Sequence, residues 1–171
     1  MLIYGPPASG KLTVARALAE RYDLTLLDNH LTFDVALRVF DFGTPQFNDL
    51  VERLRVTLLE SMAAERRDSV ATYVFSNAYD RPYVDRLAAH AARFGIDLQR
   101  VQLCPLPPTL EERVVAPSRA TTQKIRDLET LRVVLKQHDL YTPIDEGDLR
   151  IDNSAMPPEE VAAQIAAQLQ L

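Results

Sequence analysis

Two glycines and a lysine lie in the turn between a short apolar run and an amphipathic segment at the start of the chain. The apolar run is 2–4, the turn is 5–11, and apolar residues recur at helical spacing over 12–22. Glycine permits torsions that bring successive backbone N–H groups round to face one anion. A helix that follows adds the free N–H groups of its first turn. The turn therefore predicts a phosphate-binding loop between a first strand and a first helix.

Apolar runs alternate with helical segments along the rest of the chain. Further strands are predicted at 24–27, 70–75, 98–103 and 149–151. Further helices are predicted at 80–94, 127–139 and 157–171, with two more over 31–67 that are separated by a break at Gly43-Thr44-Pro45. This alternation is typical of an α/β fold with a parallel sheet and helices on both faces. The length, 171 residues, suits one domain.

Composition excludes several classes of function. The net charge of −5 opposes binding to a polyanion, so no nucleic-acid partner is expected. No stretch approaches the length of apolar sequence that a membrane span requires, and we expect a cytoplasmic protein without a membrane partner. The single cysteine, Cys104, excludes an internal disulfide and a cysteine metal cluster within the chain. We interpret Cys104 as a buried strand residue rather than a nucleophile.

The loop, the small size and the strand–helix alternation resemble the P-loop small-molecule and nucleotide kinases. That group includes adenylate kinase, shikimate kinase, gluconate kinase and chloramphenicol phosphotransferase, and Gly10-Lys11-Leu12-Thr13 is similar to the end of the loop in adenylate kinases. The resemblance implies a five-stranded parallel sheet in the order 2-3-1-4-5. It also implies an acceptor-binding insert at 31–67, an arginine-bearing lid at 108–126, and ATP with Mg²⁺ as cofactors.

The loop supplies the predicted contacts to the nucleotide. They are Gly5, Pro7, Ala8, Ser9, Gly10, Lys11, Leu12 and Thr13. Lys11 is expected to carry a full positive charge to the β- and γ-phosphates, which makes it a catalytic candidate as well. The residue after this lysine is usually Ser or Thr, whose hydroxyl reaches Mg²⁺. Leu12 stands there instead, so Thr13 and Asp28 are the candidate contacts to the metal.

Strand 2 ends at Asp28, where a side chain projects into the ligand crevice of a parallel sheet. In shikimate kinase and chloramphenicol phosphotransferase an aspartate at this place handles the acceptor hydroxyl, so the resemblance implies that role for Asp28. The alternative is that Asp28 caps the next helix. His30 is a candidate to bind the acceptor or share the base role, or else makes only a structural hydrogen bond.

Arginines in the insert are candidates to grip an anionic group of the acceptor. Arg38, Arg53 and Arg55 are available, and we select Arg53 as the substrate contact. Arg53 and Arg55 are two residues apart and cannot share one face of a helix, so at most one of them points inward.

In the lid, Arg113 and Arg119 flank Pro117. The resemblance implies that lid arginines stabilise charge on the transferring phosphoryl group, with Arg119 catalytic and Arg113 at the nucleotide. A surface helix pair with scattered cations is the alternative, and Lys124 and Arg126 are interpreted as solvated.

After strand 5, Asn153 and Ser154 either lie beside the adenine, as the resemblance implies, or cap the last helix.

Strand 3 ends at Val74-Phe75-Ser76-Asn77 without the acidic residues that dedicated ATPases use, and no Asn-Lys-x-Asp motif of a GTPase is present. The sequence thus favours an ATP-dependent kinase that transfers the γ-phosphate to a hydroxyl of a small molecule. The alternative is a nucleotide-binding regulatory or sensing module without efficient transfer. A polynucleotide end kinase is a third possibility, and the acidic balance counts against it.

Overall fold

The computed structural model of the chain describes residues 1–119 and 124–171, with Asn77, Ala78 and Ser118 described by their backbone alone. Part of the predicted lid, residues 120–123, therefore lies outside the described residues. In the described part of the chain, no helix is both long enough and apolar enough to cross a bilayer.

Five parallel strands form one sheet in the order β2-β3-β1-β4-β5, which confirms the predicted order. The strands are β1 (Leu2–Tyr4), β2 (Thr25–Leu27), β3 (Ser69–Tyr73), β4 (Arg100–Leu103) and β5 (Leu149–Ile151). The first strand is central: Ile3 is in register with Thr72 of β3 on one side and with Val101 of β4 on the other. The loop that follows β1 therefore leaves the sheet near its middle.

Helices cover both faces of the sheet, as predicted. They are α1 (Lys11–Tyr22), α2 (Asn29–Ala36), α3 (Pro45–Ala64), α4 (Asn77–Arg93), α5 (Pro107–Val114), α6 (Leu128–Gln137) and α7 (Pro158–Leu169), with a 3₁₀ turn at Pro117–Arg119. Because side chains of a strand alternate between faces, Ile3 packs with residues of α1 and α7 while Leu2 and Tyr4 pack with Phe75 and Val84 on the opposite face.

The break predicted at 43–45 is present and marks the start of α3. Thr44 is the N-cap, its side chain accepts a hydrogen bond from the Phe47 N–H at 3.2 Å, and Pro45 occupies the first turn. Gly95 follows the last helix residues of α4 with φ +67°, as its predicted role at the helix end requires.

One prediction of local structure is corrected. Helix α4 begins at Asn77 rather than at residue 80, because the Asp80 carboxylate accepts the Ser76 N–H at 2.7 Å and stabilises an earlier start. Helix α5 begins at Pro107, where the fixed φ of proline suits the first helical position. Cys104 lies one residue beyond β4 and is half-buried.

Gly5 provides a stability test of the strand–loop junction. Its φ is +144°, and a Cβ atom there would overlap the carbonyl oxygen of Leu103 in the neighbouring strand. We expect Gly5→Ala to lower the free energy of unfolding by about 3 kcal/mol, because both the backbone torsion and the close approach are lost. Urea denaturation measures the change.

The matched control is Gly43→Ala. Gly43 also has a positive φ, +77°, but a Cβ there would meet nothing within 4 Å. This variant is expected to lose only about 1 kcal/mol, the cost of the left-handed torsion. Equal losses in the two variants would contradict the steric explanation for Gly5.

Candidate nucleotide and acceptor site

A crevice of about 460 Å³ opens where β1, β2 and β3 end. Residues of the loop, of the segment after β2, of the end of β3 and of the lid line it; they include Pro7, Ala8, Gly10, Lys11, Leu12, Thr13, Asp28, Asn29, His30, Phe33, Thr72, Tyr73, Asp80, Arg119 and Lys124. Ligands of open parallel sheets bind at the carboxyl ends of the strands. The crevice is therefore the candidate functional site.

The loop has the backbone torsions of an anion-binding nest. Gly5, Ala8 and Gly10 have φ values of +144°, +64° and +91°, and such torsions turn neighbouring N–H groups toward a common centre. Gly10 is the N-cap of α1, and no side chain caps this helix. The first turn of α1 consequently offers its N–H groups and its positive dipole end to a ligand.

Two side chains hold the loop from behind through the Ser9 carbonyl oxygen. Asn153 donates to it from Nδ2 at 2.8 Å, and Arg113 donates from Nη1 at 3.3 Å. Arg113 also donates from Nη2 to the Asn153 carbonyl oxygen at 2.8 Å. The contact of Arg113 with the nucleotide stays a prediction; in the structure its guanidinium bonds to the loop and to the segment after β5, and Arg113 is not among the residues that line the crevice.

The loop after β5 does not cap the last helix, which excludes one of the two interpretations of Asn153 and Ser154. The N-cap of α7 is Pro157, whereas the Ser154 hydroxyl accepts the Leu106 N–H at 2.8 Å and Asn153 binds the phosphate loop. Ser154 therefore connects the segment after β5 to Leu106, just before α5, and Asn153 connects the same segment to the phosphate loop.

Lys11 folds back onto the loop. Its Nζ donates to the carbonyl oxygens of Gly5 at 2.9 Å and Pro6 at 2.7 Å, and to the Ser9 hydroxyl at 3.3 Å. Burial and the nearby positive charges of Arg119 and Lys124 lower the pKa of Lys11 to about 7. A bound triphosphate would supply the missing negative charge and reverse this shift.

Arg119 and Lys124 line the crevice beside Lys11. Arg119 donates from Nε to the Ile125 carbonyl oxygen at 2.9 Å. The prediction of a solvated Lys124 is wrong, since its side chain is partly buried and burial lowers its pKa. Three cations therefore converge on the phosphate side of the site.

Asp28 caps a helix and also lies in the crevice. Its carboxylate caps α2 by accepting the His30 N–H at 3.3 Å, and it also lines the crevice. Thr72 of β3 contacts the same carboxylate oxygen at 3.4 Å. His30 lines the crevice next to it, and burial lowers the pKa of its imidazole, which favours the neutral form that can accept a proton.

The selection of Arg53 as a substrate contact is corrected. Its side chain is 68% exposed and pairs with Asp49 of the same helix at 3.0 Å. Arg55 is the inward residue: it donates to Asn29 Oδ1 and lies over the rings of Phe33, Tyr73 and Tyr83 at 5.1–5.3 Å. Helical spacing allows only one of Arg53 and Arg55 to point inward, and the tertiary contacts determine that it is Arg55.

Asp80 is a site residue that the sequence analysis missed. It lines the crevice, and its carboxylate accepts the Ser76 N–H at 2.7 Å and the Tyr73 hydroxyl at 2.9 Å. Asp80 does not directly follow β3 in the sequence. It lies near the end of that strand because α4 begins earlier than predicted. The Asn77 side chain, which the sequence placed here, is not among those described.

Oxygen atoms that suit Mg²⁺ are present around the crevice. The metal candidates Thr13 and Asp28 both line it, and hydroxyl and carboxylate oxygens are preferred ligands of that ion. Within 1–119 and 124–171, however, no three His, Cys, Asp or Glu side chains converge into a metal cluster of their own. This set fits an ion that is held mainly by nucleotide phosphates and water.

The fold and the loop together define a class: the chain has the fold of the P-loop kinases, which confirms the resemblance at the level of fold. Structurally it is similar to the tunicamycin resistance protein of Deinococcus radiodurans, with a TM-score of 0.70, 20% identity, and coverage of 100% of this chain and 95% of that one. It is also similar to shikimate kinase from Aquifex aeolicus, with a TM-score of 0.62, 18% identity, and coverage of 99% and 96%.

A third similar structure is the Mycobacterium tuberculosis APS kinase in complex with AMPPNP and APS. Its TM-score is 0.64 and its identity 16%, and the match covers 99% of this chain and 97% of that one. No family profile and no curated protein sequence matches the chain.

The low pKa of Lys11 predicts that nucleotide binding takes up a proton. At pH 8 a group with a pKa of about 7 is about nine-tenths neutral, and a triphosphate that raises this pKa restores the proton. Calorimetry of Mg·ATP binding in buffers of different ionisation enthalpy should give an uptake of about 0.9 proton at pH 8 and much less at pH 6. Lys11→Arg, which stays charged throughout, should show almost none. Equal uptake in the two proteins would refute the assignment.

The contacts of Arg113 predict an indirect effect on the nucleotide. Arg113→Met removes the donors to Ser9 and Asn153, so we expect Mg·ATP to bind about tenfold more weakly while the fold is retained. The control is Arg132→Met, since Arg132 is 62% exposed and pairs with Glu111 on the surface. Calorimetry on both variants checks the prediction, and an equal effect in both would contradict it.

Proposed function

We propose that the protein is an ATP-dependent kinase that transfers the γ-phosphate to a hydroxyl of a small molecule. The observation that carries the proposal is one crevice lined by Lys11, Arg119 and Lys124 together with Asp28 and His30. Phosphoryl transfer needs cations around the transferred group and a carboxylate or imidazole beside the attacking hydroxyl.

The nucleotide would bind with its phosphates in the loop nest. Gly5, Ala8 and Gly10 provide the torsions, and the first turn of α1 adds its dipole. The complex of the similar APS kinase with AMPPNP supports a nucleoside triphosphate as the ligand. Magnesium, when bound, neutralises charge on the β- and γ-phosphates, and Thr13 and Asp28 are the residues that would hold it or its waters.

The transfer itself is assigned to a few side chains. Asp28 orients the acceptor hydroxyl and takes its proton, directly or with His30, as the hydroxyl oxygen bonds to the γ-phosphorus. The bond from that phosphorus to the bridging oxygen breaks, and ADP leaves. Lys11 and Arg119 stabilise the charge that moves onto the bridging and terminal oxygens.

The remaining segments complete this assignment. Residues 31–67 are proposed to bind the acceptor because α2 begins beside Asp28 and contributes Phe33 to the crevice. Residues 108–126 are proposed as a lid because Arg119 and Lys124 come from it. We treat the whole chain, 1–171, as one kinase domain with a nucleoside triphosphate and a small-molecule acceptor as its partners.

A nucleotide-binding regulatory or sensing module is the second candidate. Leu12, in the place of the usual metal-contacting hydroxyl, favours it. Asp80 favours the kinase, since it brings an acid to the end of β3 after all. Tight nucleotide binding without turnover on a broad panel of alcohols would support the second candidate.

Two substitutions separate binding from transfer. Lys11→Ala should weaken ATP binding at least about 30-fold without unfolding the protein, because a buried cation at the phosphates is lost. Asp28→Asn should lower kcat by about 100-fold or more and leave the Kd of ATP within about twofold, because a general base is lost.

ADP release over an acceptor panel and calorimetry with ATP give the two readouts. The matched control for Asp28 is Asp34→Asn, an exposed carboxylate on the same helix. Unchanged turnover in Asp28→Asn would remove Asp28 from the mechanism.

A further inference from the structure

We infer that the acceptor is an alcohol with an apolar ring and without an acidic group, and that an amine on it is favoured. This inference rests on the proposed function and names the substrate class of the same crevice. It depends on which charges and which apolar side chains the strands β2 and β3 bring to their ends.

The charges of the crevice are unevenly distributed. Among the described residues that line it, the lysines and arginines are Lys11, Arg119 and Lys124, which come from the phosphate loop and the lid. A bound triphosphate offsets them. The ends of β2 and β3 contribute the carboxylates Asp28 and Asp80 instead. With nucleotide in place, the acceptor therefore meets a site of net negative character.

Asp80 keeps its negative charge available to a ligand. Its carboxylate accepts hydrogen bonds from the Ser76 N–H at 2.7 Å and the Tyr73 hydroxyl at 2.9 Å, and both of these donors are neutral. They orient the carboxylate without cancelling its charge. An ammonium group beside it gains Coulomb attraction, whereas a carboxylate there would be repelled.

The arginine that comes nearest to the acceptor side is already engaged. Arg55 donates to Asn29 Oδ1 and lies over three aromatic rings. It lines an adjoining apolar cavity of about 90 Å³, which shares Asp28 and Tyr73 with the crevice, and it is not among the residues that line the crevice itself. The alternatives from α3 and the preceding turn, Arg53 and Arg38, are exposed. An acidic acceptor would find no bidentate partner among these residues.

Apolar side chains of the crevice form a surface that suits the packing of a ring. Phe33, Leu37, Phe42 and Val74 line the crevice, and the rings of Phe33 and Phe42 meet edge to face at 5.8 Å. Phe42 is 69% exposed, so an apolar acceptor that covers it removes hydrophobic surface from water.

Three probes that share a phenyl ring and a benzylic hydroxyl test the inference. They are 2-amino-1-phenylethanol, 1-phenylethane-1,2-diol and mandelate, which are cationic, neutral and anionic at pH 7. Binding to the full chain saturated with AMPPNP and Mg²⁺ is measured by ligand-observed NMR titration. We expect the amine to bind more tightly than the diol, and mandelate to bind about tenfold more weakly than the amine. An amine that binds no more tightly than the diol, mandelate binding that equals the amine, or no binding of any probe at 20 mM, would overturn the inference.

Variants assign the preference to particular side chains. Asp80→Asn should bring the affinity ratio of amine to diol to about one, because the ammonium loses its anionic partner. Asp85→Asn, on the same helix and 64% exposed, should leave the ratio unchanged. Phe42→Ala, at a position that is 69% exposed, should weaken the amine and the diol by a similar factor. The assignment is contradicted if the affinity ratio of amine to diol in Asp80→Asn equals that of the unchanged protein. It is also contradicted if Phe42→Ala binds the probes as tightly as the unchanged protein does.

The same samples distinguish this inference from the proposed function. Probe binding does not depend on transfer, whereas ADP release does. If the probes bind in the expected order and AMPPNP binds but no alcohol releases ADP from ATP, the acceptor class stands and the kinase proposal falls. If ADP release is fastest with an acidic alcohol, the kinase proposal stands and the acceptor class falls.

Discussion

The geometry of the phosphate loop depends on the direction of one carbonyl group. Ser9 is fully buried, and its carbonyl oxygen accepts from Asn153 and Arg113, which approach from outside the loop. In a planar trans peptide the C=O and the following N–H point in opposite directions. Holding the Ser9 oxygen outward thus turns the Gly10 N–H inward, toward the place where a phosphate would lie. The positive φ of Gly10 then continues the turn into α1. The anion site is therefore organised by contacts from the far side of the loop, before any ligand arrives.

This arrangement connects the loop to the segment that carries the catalytic candidate of the lid. Arg113 is in the last turn of α5, and Arg119 follows after the turn at Pro117. One end of the segment is anchored to Ser9 and Asn153, while the other directs Arg119 and Lys124 into the crevice. A segment with a fixed base and cations beyond a proline turn suits closure over a phosphoryl group. The two arginines that the sequence analysis assigned to the lid thus make different contacts: Arg113 bonds to the phosphate loop, and Arg119 lines the crevice.

The sequence predicts the parts of this protein that depend on local periodicity and backbone chemistry. The alternation of strands and helices predicted the α/β fold, and the resemblance that it supports implied the order of the strands. The glycine positions predicted the phosphate-binding loop. The failures are long-range. Arg113 bonds to a carbonyl 104 residues away, and no spacing rule shows such a partner. Helical spacing showed that Arg53 and Arg55 cannot both point inward. Which of the two does so depends on the aromatic rings contributed by α2, β3 and α4. The sequence analysis missed Asp80 because α4 begins about one turn earlier than predicted, at a start that the Asp80 side chain stabilises. Pro82, which lies within the helix, made this early start hard to recognise in the sequence.

The position of Arg55 connects the fold to acceptor selection. Its guanidinium lies among Phe33, Tyr73 and Tyr83, which belong to three different elements, and it bonds to Asn29 next to Asp28. A cation held by ring faces and one amide oxygen stabilises the packing of α3 on the sheet. It also keeps the segment that presents Asp28 in place. The same contacts withdraw the guanidinium from ligands, so the residue that secures the acceptor side cannot also bind an acid there. Because the cation is engaged by these rings and by Asn29, the charged groups near the ends of β2 and β3 that line the crevice are the carboxylates of Asp28 and Asp80.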